Sequence, residues 1–287
     1  MKTRAKHLSW IGLAIGLFLT SLATRGDDKP AALTTSPAGE KWKLIWSDEF
    51  DHDGPPDPAK WTYEIGFVRN NEPQYYTDRR ENARVENGML VLEARKEHFK
   101  NPNVQPGAKN RPNRQEFAEY TSASVITRGL FQFAFGRVEM RLQLPEGKGT
   151  WPAVWTLGTN RDTLHWPGCG EIDIMEWWGA NPKVMTSTLH FAKDNKHARA
   201  QGRTTQPAAI TGFHDYALEW TPDHMDFFMD GQPYHHVELR GLDDNNAFTL
   251  PQYLLIDFAI DSHNKIDDAT LPQKFLVDYV RVFEEKE

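Results

Sequence analysis

Apolar and polar positions alternate with a period of two over much of this chain. Arg137-Val138-Glu139-Met140-Arg141-Leu142-Gln143-Leu144 is the clearest case, with charged or amide side chains at every other position. Such a pattern lays one face of a strand on a core and the other toward solvent. Ala83 to Ala94 holds two short apolar runs separated by Asn87-Gly88, a pair that predicts a hairpin because both residues tolerate positive φ. Met225 to Met229 runs into Asp230-Gly231, another turn pair, and Phe275 to Phe283 reads as a last strand. No stretch of helical length repeats at i, i+3, i+4, i+7. Many short strands with turn signals between them predict an all-β sandwich or barrel. With no internal repeat and no second compositional regime, residues 41–287 are expected to form one domain.

Two stretches do not alternate. His98 to Tyr120 is rich in Asn, Pro, Gln and basic residues, and Lys193 to Thr211 is similarly polar. Both read as long loops, either walls of a binding cleft or surface insertions. The first carries Lys100, Lys109, Arg111 and Arg114.

The N-terminus follows a different logic. Lys2, Arg4 and Lys6 precede an apolar run from Leu8 to Leu22, and Ser21-Leu22-Ala23 offers small residues for cleavage. That is the layout of a secretory signal peptide over residues 1–23, short for a membrane span. Residues 24–40 carry no periodicity and read as a linker or disordered arm. The mature chain is expected to be exported, with no membrane association once the signal is removed, and to act as a monomer. The net charge is −7, and the leader holds three basic and no acidic residues, so the mature chain is more negative still. Such a balance argues against a general nucleic-acid binder. Cys169 is the one cysteine, so no intrachain disulfide exists; it reads as a small packing residue. Ten tryptophans serve either a core or the flat faces that sugars pack against.

Gly170-Glu171-Ile172-Asp173-Ile174-Met175-Glu176-Trp177-Trp178 is where candidate chemistry concentrates. Ile172 and Ile174 point to a core, Glu171 and Asp173 to the other face. Glu176 breaks the parity, since five residues after Glu171 a regular strand turns it inward. A helix also leaves the two glutamates well apart around its axis. A β-bulge between Asp173 and Glu176 restores all three acids to one face. Three readings remain for such a row: a divalent-metal cluster, a structural or solvated acidic face, or paired-carboxylate glycoside hydrolysis. In the last, one carboxylate attacks the anomeric carbon and a carboxylic acid protonates the leaving oxygen, about 5–5.5 Å apart when configuration is retained. Alternate positions over four strand steps lie roughly 13 Å apart at Cα, a gap two glutamates can lean across on a bulged strand.

Glu171-Ile172-Asp173-Ile174-Met175-Glu176, with Gly170 before it, resembles the signature of glycoside hydrolase family 16 in the bulged form of laminarinases. Trp46-Ser47-Asp48-Glu49-Phe50, Asn70-Asn71-Glu72-Pro73-Gln74-Tyr75-Tyr76-Thr77, Phe135-Gly136-Arg137-Val138-Glu139, Trp151-Pro152-Ala153-Val154-Trp155 and Asp278-Tyr279-Val280-Arg281-Val282 match in the same order. The resemblance implies a β-jelly-roll of two stacked, curved antiparallel sheets with a concave polysaccharide cleft. It implies Glu171 as nucleophile, Glu176 as general acid/base and Asp173 as the supporting acid. Asn70 and His190 are then expected at the substrate or the acid/base, with Trp151, Trp155 and Trp166 as stacking platforms. Trp177 belongs to the core and Trp178 borders the cleft. Catalysis needs no cofactor; a structural calcium is implied at Glu49, the Gly88 carbonyl and Asp278. One segment departs from the laminarinase pattern: Leu255 to Lys265 lacks the Gly-Gly-Xaa-Trp that usually follows this cleft strand. The expected activity is a secreted, endo-acting, retaining β-glycanase on a polysaccharide, β-1,3-glucan first. Mixed-linkage glucan, agar, porphyran or carrageenan are its alternatives, and a non-catalytic sugar-binding protein on the same fold is the rival.

Overall fold

The computed structural model describes residues 41–286, and the signal-peptide and linker segments lie outside the described residues. Along the first half run β1 (Trp42–Asp48), β2 (Thr62–Tyr63), β3 (Gln74–Tyr76), β4 (Ala83–Glu86), β5 (Met89–Lys100), β6 (Phe117–Ser122), β7 (Ser124–Ile126) and β8 (Gly136–Gln143). The second half holds β9 (Thr150–Gly158), β10 (Glu171–Trp177), β11 (Val184–Lys193), β12 (Lys196–Thr205), β13 (Phe213–Trp220) and β14 (His224–Met229). The last strands are β15 (Gln232–Glu238), β16 (Gln252–Ile260) and β17 (Gln273–Glu285). They form two sheets. One has the order β15-β14-β13-β8-β17-β5-β6-β3, with β1 added on β17 and β4 on β5; the other has the order β12-β11-β10-β9-β16-β7-β2. Pairing is antiparallel except between β3 and β6.

The alternation read from the sequence is realised between these sheets. Val138, Met140 and Leu142 of β8 meet Ile172, Ile174 and Trp177 of β10 in one continuous buried cluster. Asn87 (φ 55°) and Gly88 (φ 71°) turn β4 into β5, both in the left-handed region that the Asn-Gly pair tolerates. Cys169 is fully buried, as a packing residue is. Trp177 is wholly buried and donates from Nε1 to the Pro182 carbonyl at 3.3 Å. Trp177→Ala leaves a large void behind β10 and is expected to cost about 3–5 kcal/mol. Urea unfolding checks this; a midpoint unchanged from the wild type contradicts the packing assigned to it.

Of the two stretches read as loops, His98 to Tyr120 is loop except at its ends, with one helical turn at Arg111–Arg114, whereas Lys193 to Thr211 is largely strand. β5 extends to Lys100, β6 begins at Phe117, and Lys196–Thr205 is β12, paired over its whole length with β11. The reason is the size of the inward residues. Ala198, Ala200 and Gly202 face the other sheet, where a Cβ on Gly202 meets the His235 ring at 2.1 Å. The inward positions of β12 are therefore too small to show as apolar, although the period of two is intact.

Candidate active site

β10 carries the acids, and its register contains the bulge. Against β11, Asp173 pairs with Thr188 and Glu176 with Thr186; against β9, Asp173 pairs with Trp155 and Met175 with Val154, with the register shifting in both cases. Ile174 and Met175 are consecutive and both buried in the core, so one extra residue is absorbed on the inward face. Glu171, Asp173 and Glu176 consequently line one cleft of about 310 Å³. Gly170, at φ 76°, sets the entry to β10: a Cβ there meets the Ala247 methyl at 2.8 Å and the conformation disfavours any L side chain.

Each acid has its own donor. Trp166 Nε1 donates to Glu171 Oε2 at 3.0 Å, and Trp151 Nε1 donates to Glu176 Oε1 at 3.1 Å. His190, opposite Glu171 on β11, places Nε2 at 3.3 Å from Asp173 Oδ2 and 3.9 Å from Glu171 Oε1. Its Nδ1 lies 2.8 Å from His197 Nε2 on β12, so one of the two nitrogens holds a proton that the other accepts. Trp166 packs on the His197 ring at 4.6 Å, closing a Trp–His–His group around Glu171 and Asp173.

Electrostatics separates the acids. Burial, then the Asp173 charge, pushes Glu171 up to about 8, while His190, Arg69 and the Trp166 bond work against the rise. Burial, Asp173 and Glu171 push Glu176 well above the carboxylate range, and the Trp151 bond opposes them. Asp173 is also raised, by burial and by Asp257. Like charges this close do not all ionise together at neutral pH, and the last proton to leave stays with the acid that has least cationic support. That acid is Glu176. Burial lowers the His190 imidazole, with Glu171 opposing and Arg199 assisting.

The wall beside these acids contains residues that the sequence reading did not single out. Asp257 of β16 accepts from Trp155 Nε1 at 2.7 Å and from the Tyr76 hydroxyl at 2.6 Å, with Arg69 Nη1 at 3.5 Å. Arg69 also pairs with Glu64 and lies over the Trp155 ring at 4.8 Å. Glu72 is buried, accepts from Gln74 and Asn70 at 2.7 and 3.0 Å, and is pushed up to about 7 by burial and the Asp257 charge. Asp257 had a visible signal, a lone acid inside the apolar run Leu254 to Ile260. Glu72 and Arg69 had none beyond their place beside Asn70.

Of the expected stacking platforms, Trp166 is 49 % exposed and open to a ligand. Trp151 lines the cleft and stacks on Trp178 at 5.7 Å. Trp155 is a correction: it lines the cleft, but it is buried and Arg69 covers its ring, so it holds Asp257 instead of presenting a face. Asn70 lines the cleft with its amide already donating to Glu72.

Pairing brings the implied calcium residues toward the middle of β17, since Val277 pairs with Leu90 near the Gly88 turn and Val280 pairs with Asp48 next to Glu49. The side chains do not by themselves fit a cation. Glu49 accepts from Arg281 through both oxygens, at 2.9 and 2.7 Å, and Arg141 Nε lies 3.6 Å from Asp278 Oδ2.

Comparison with known proteins agrees with this geometry. The model of glycosyl hydrolases family 16 matches residues 70–281. A β-glucanase of Rhodothermus marinus is 40 % identical over 259 residues, covering 84 % of this chain and 85 % of the relative. The solved structure of the laminarinase from Rhodothermus marinus superposes with a TM-score of 0.73 at 38 % identity, over 86 % of this chain and 98 % of that one. A structure from work on endo-acting O-glycanases, expressed by members of the human gut microbiota to initiate mucin breakdown, gives 0.81 at 35 % identity. It covers 88 % of this chain and 94 % of that one. A bulged acidic strand in a two-sheet fold and a family match over most of the chain lead to one conclusion: the protein belongs to family 16 of the glycosyl hydrolases and is a glycoside hydrolase.

Proposed function

We propose that the protein is an exported, retaining endo-β-glycanase that cleaves β-1,3-glucan of the laminarin type. The observation that carries this reading is the bulge in β10, which turns Glu171 and Glu176 to one cleft while their surroundings give them different hold on a proton. Glu171, ionised, attacks the anomeric carbon as Glu176 passes its proton to the departing glycosidic oxygen; the C–O bond breaks and a glycosyl ester of Glu171 forms. Glu176, now a carboxylate, takes a proton from water as the water oxygen attacks the same carbon. The ester breaks and both acids return to their starting states. Asp173, 3.3 Å from His190 Nε2, orients that imidazole beside Glu171, whose carboxylate lies between His190 and Trp166. The leader read from the sequence supports export, and among the described residues no helix is long and apolar enough to cross a membrane.

A second reading has its own observation. The higher TM-score belongs to the O-glycanase structure, and the segment after β16 departs from the laminarinase pattern. Here Asp261 is buried and accepts from the His263 amide and the Asn264 side chain, both at 2.7 Å, forming a tight polar turn. Mucin-type O-glycans are therefore the alternative substrate.

Reducing-end release from laminarin, lichenan, gastric mucin, agarose, porphyran and carrageenan tests the choice, with Glu171→Gln as control. Laminarin is expected to be cleaved fastest. Densely sulfated galactans are expected to react slowly, because Glu64, Glu72, Glu171, Asp173, Glu176 and Asp257 line the cleft against Arg69 and Arg161. Release from mucin alone transfers the assignment to the second reading, and rapid cleavage of carrageenan contradicts the charge argument.

A further inference from the structure

The polar strand β12 continues the catalytic face beyond the acids. His190, which pairs with Glu171, pairs on its other side with Arg199; Thr188, which pairs with Asp173, pairs with Gln201; Thr186, which pairs with Glu176, pairs with Arg203. Residues directly opposite on antiparallel strands share a face, so Arg199, Gln201 and Arg203 stand on the same face as the acids. The contrary positions Ala198 and Ala200 pack against the core, which fixes the assignment independently. Bonds across the rows agree: Gln201 Nε2 donates to Thr188 Oγ1 at 3.2 Å, and Arg203 Nη2 donates to Gln201 Oε1 at 2.8 Å.

Arg199 and Arg203 are exposed, and among the described residues neither has a carboxylate within ion-pair distance. On a chain with net charge −7, arginines such as Arg69, Arg137 and Arg281 are held by acids, whereas these two are left to other acceptors. Strands lie about 4.8 Å apart, so the two guanidinium-bearing positions start roughly 10 Å from Glu171 and Glu176, and some 13 Å from each other along β12. A polymer that crosses the strands at the acids passes onto this edge. The centre of the cleft is acidic, and its edge is cationic, with neither guanidinium held by a carboxylate. Guanidinium groups bind sulfate and carboxylate oxygens through paired N–H donors.

We propose that β12 forms an outlying subsite of the cleft in which Arg199 and Arg203 take an anionic sugar residue of the substrate chain, sulfated or carboxylated, two strands away from the bond that is cleaved. The proposal rests on the reading of Glu171 and Glu176 as the cleavage centre. It adds that the sugar at that centre is neutral while a neighbour on the β12 side carries the charge, so sparse decoration is favoured where dense decoration is repelled.

Binding separates this from catalysis. In a Glu171→Gln background, affinity electrophoresis compares laminarin with laminarin sparsely O-sulfated and with laminarin sparsely oxidised to uronic acid at C6. The same comparison on gastric mucin, before and after removal of sulfate and sialic acid, makes the result independent of which polymer the enzyme cleaves. Expected is about tenfold tighter binding of the charged form of at least one polymer at low salt, falling toward parity in 0.5 M NaCl. Adding Arg199→Gln with Arg203→Gln removes the preference and leaves the neutral form bound within twofold, which also shows that the edge strand still folds. Arg199→Lys with Arg203→Lys retains part of it. Equal binding of charged and neutral forms, a preference that survives the double glutamine variant, or no binding of any form overturns the proposal. The sulfated and oxidised arms distinguish the two sources of charge. Hydrolysis that survives Glu171→Gln with the preference intact counts against the catalytic reading alone.

Discussion

Glu171→Gln is expected to lower kcat on any polymer the enzyme cleaves by on the order of 10⁴–10⁶-fold, the scale of removing a nucleophile that works as part of a unit. The amide is isosteric but does not form the glycosyl ester, so KM changes far less than kcat. A sharper version uses Glu171→Ala with azide and an aryl glycoside whose leaving group needs no protonation. Azide then occupies the space of the carboxylate and attacks from its side, so the product is the inverted glycosyl azide. A product of retained configuration, or activity in the glutamine variant within tenfold of the wild type, removes Glu171 from the role of nucleophile.

The same substitution carries a stability prediction of definite sign. Burial and Asp173 raise Glu171 from 4.5 to about 8 in the fold, so the folded state holds its proton more tightly than the unfolded chain does. The stability this contributes is complete below about 4.5 and is lost as pH rises through about 8. Glutamine does not titrate. Glu171→Gln is therefore expected to melt at a higher temperature than the wild type at pH 8 and to lose that advantage by pH 5. Each kcal/mol relieved is worth about 2–4 °C in a domain of this size. A melting difference that shrinks with rising pH contradicts the desolvation argument, whatever the kinetics show.

How far the sequence disclosed this site depended on whether a residue disturbed a local pattern. Glu176 did: its wrong parity after Ile174-Met175 implied the bulge, and the register of β10 contains it. Val138, Met140 and Leu142 did as well, because large apolar residues at alternate positions mark an inward face. β12 left no such mark, since Ala198, Ala200 and Gly202 are small; the row that now carries Arg199 and Arg203 read as loop. Arg69, Glu72 and Asp257 are paired through residues as distant in sequence as Tyr76 and Asp257, contacts that no local spacing reports. Trp155 shows the opposite error. Its type suited a stacking platform, but burial and the Arg69 guanidinium above it are tertiary facts.

Glu176→Ala is expected to divide substrates by their leaving groups. For a polymer, departure of the sugar oxygen needs the proton, and kcat/KM falls by about 10²–10⁴-fold, the usual worth of a general acid. For an aryl glycoside with a strongly acidic phenol, the first step proceeds almost unimpaired and the glycosyl ester of Glu171 accumulates, because no base remains to activate water. Azide needs no base, so it restores turnover and gives the glycosyl azide of retained configuration, the opposite anomer to that from Glu171→Ala. The pH profile supplies a second check. In the wild type, activity rises as Glu171 loses its proton and falls as Glu176 loses its own, the latter held to higher pH by burial, Asp173 and Glu171, which the Trp151 bond only opposes. Removing Glu176 is expected to abolish the alkaline limb and keep the acid one. An alkaline limb that persists in Glu176→Ala places the acid elsewhere in the cleft, with Glu72, itself pushed up to about 7 by burial and Asp257, the first residue to test.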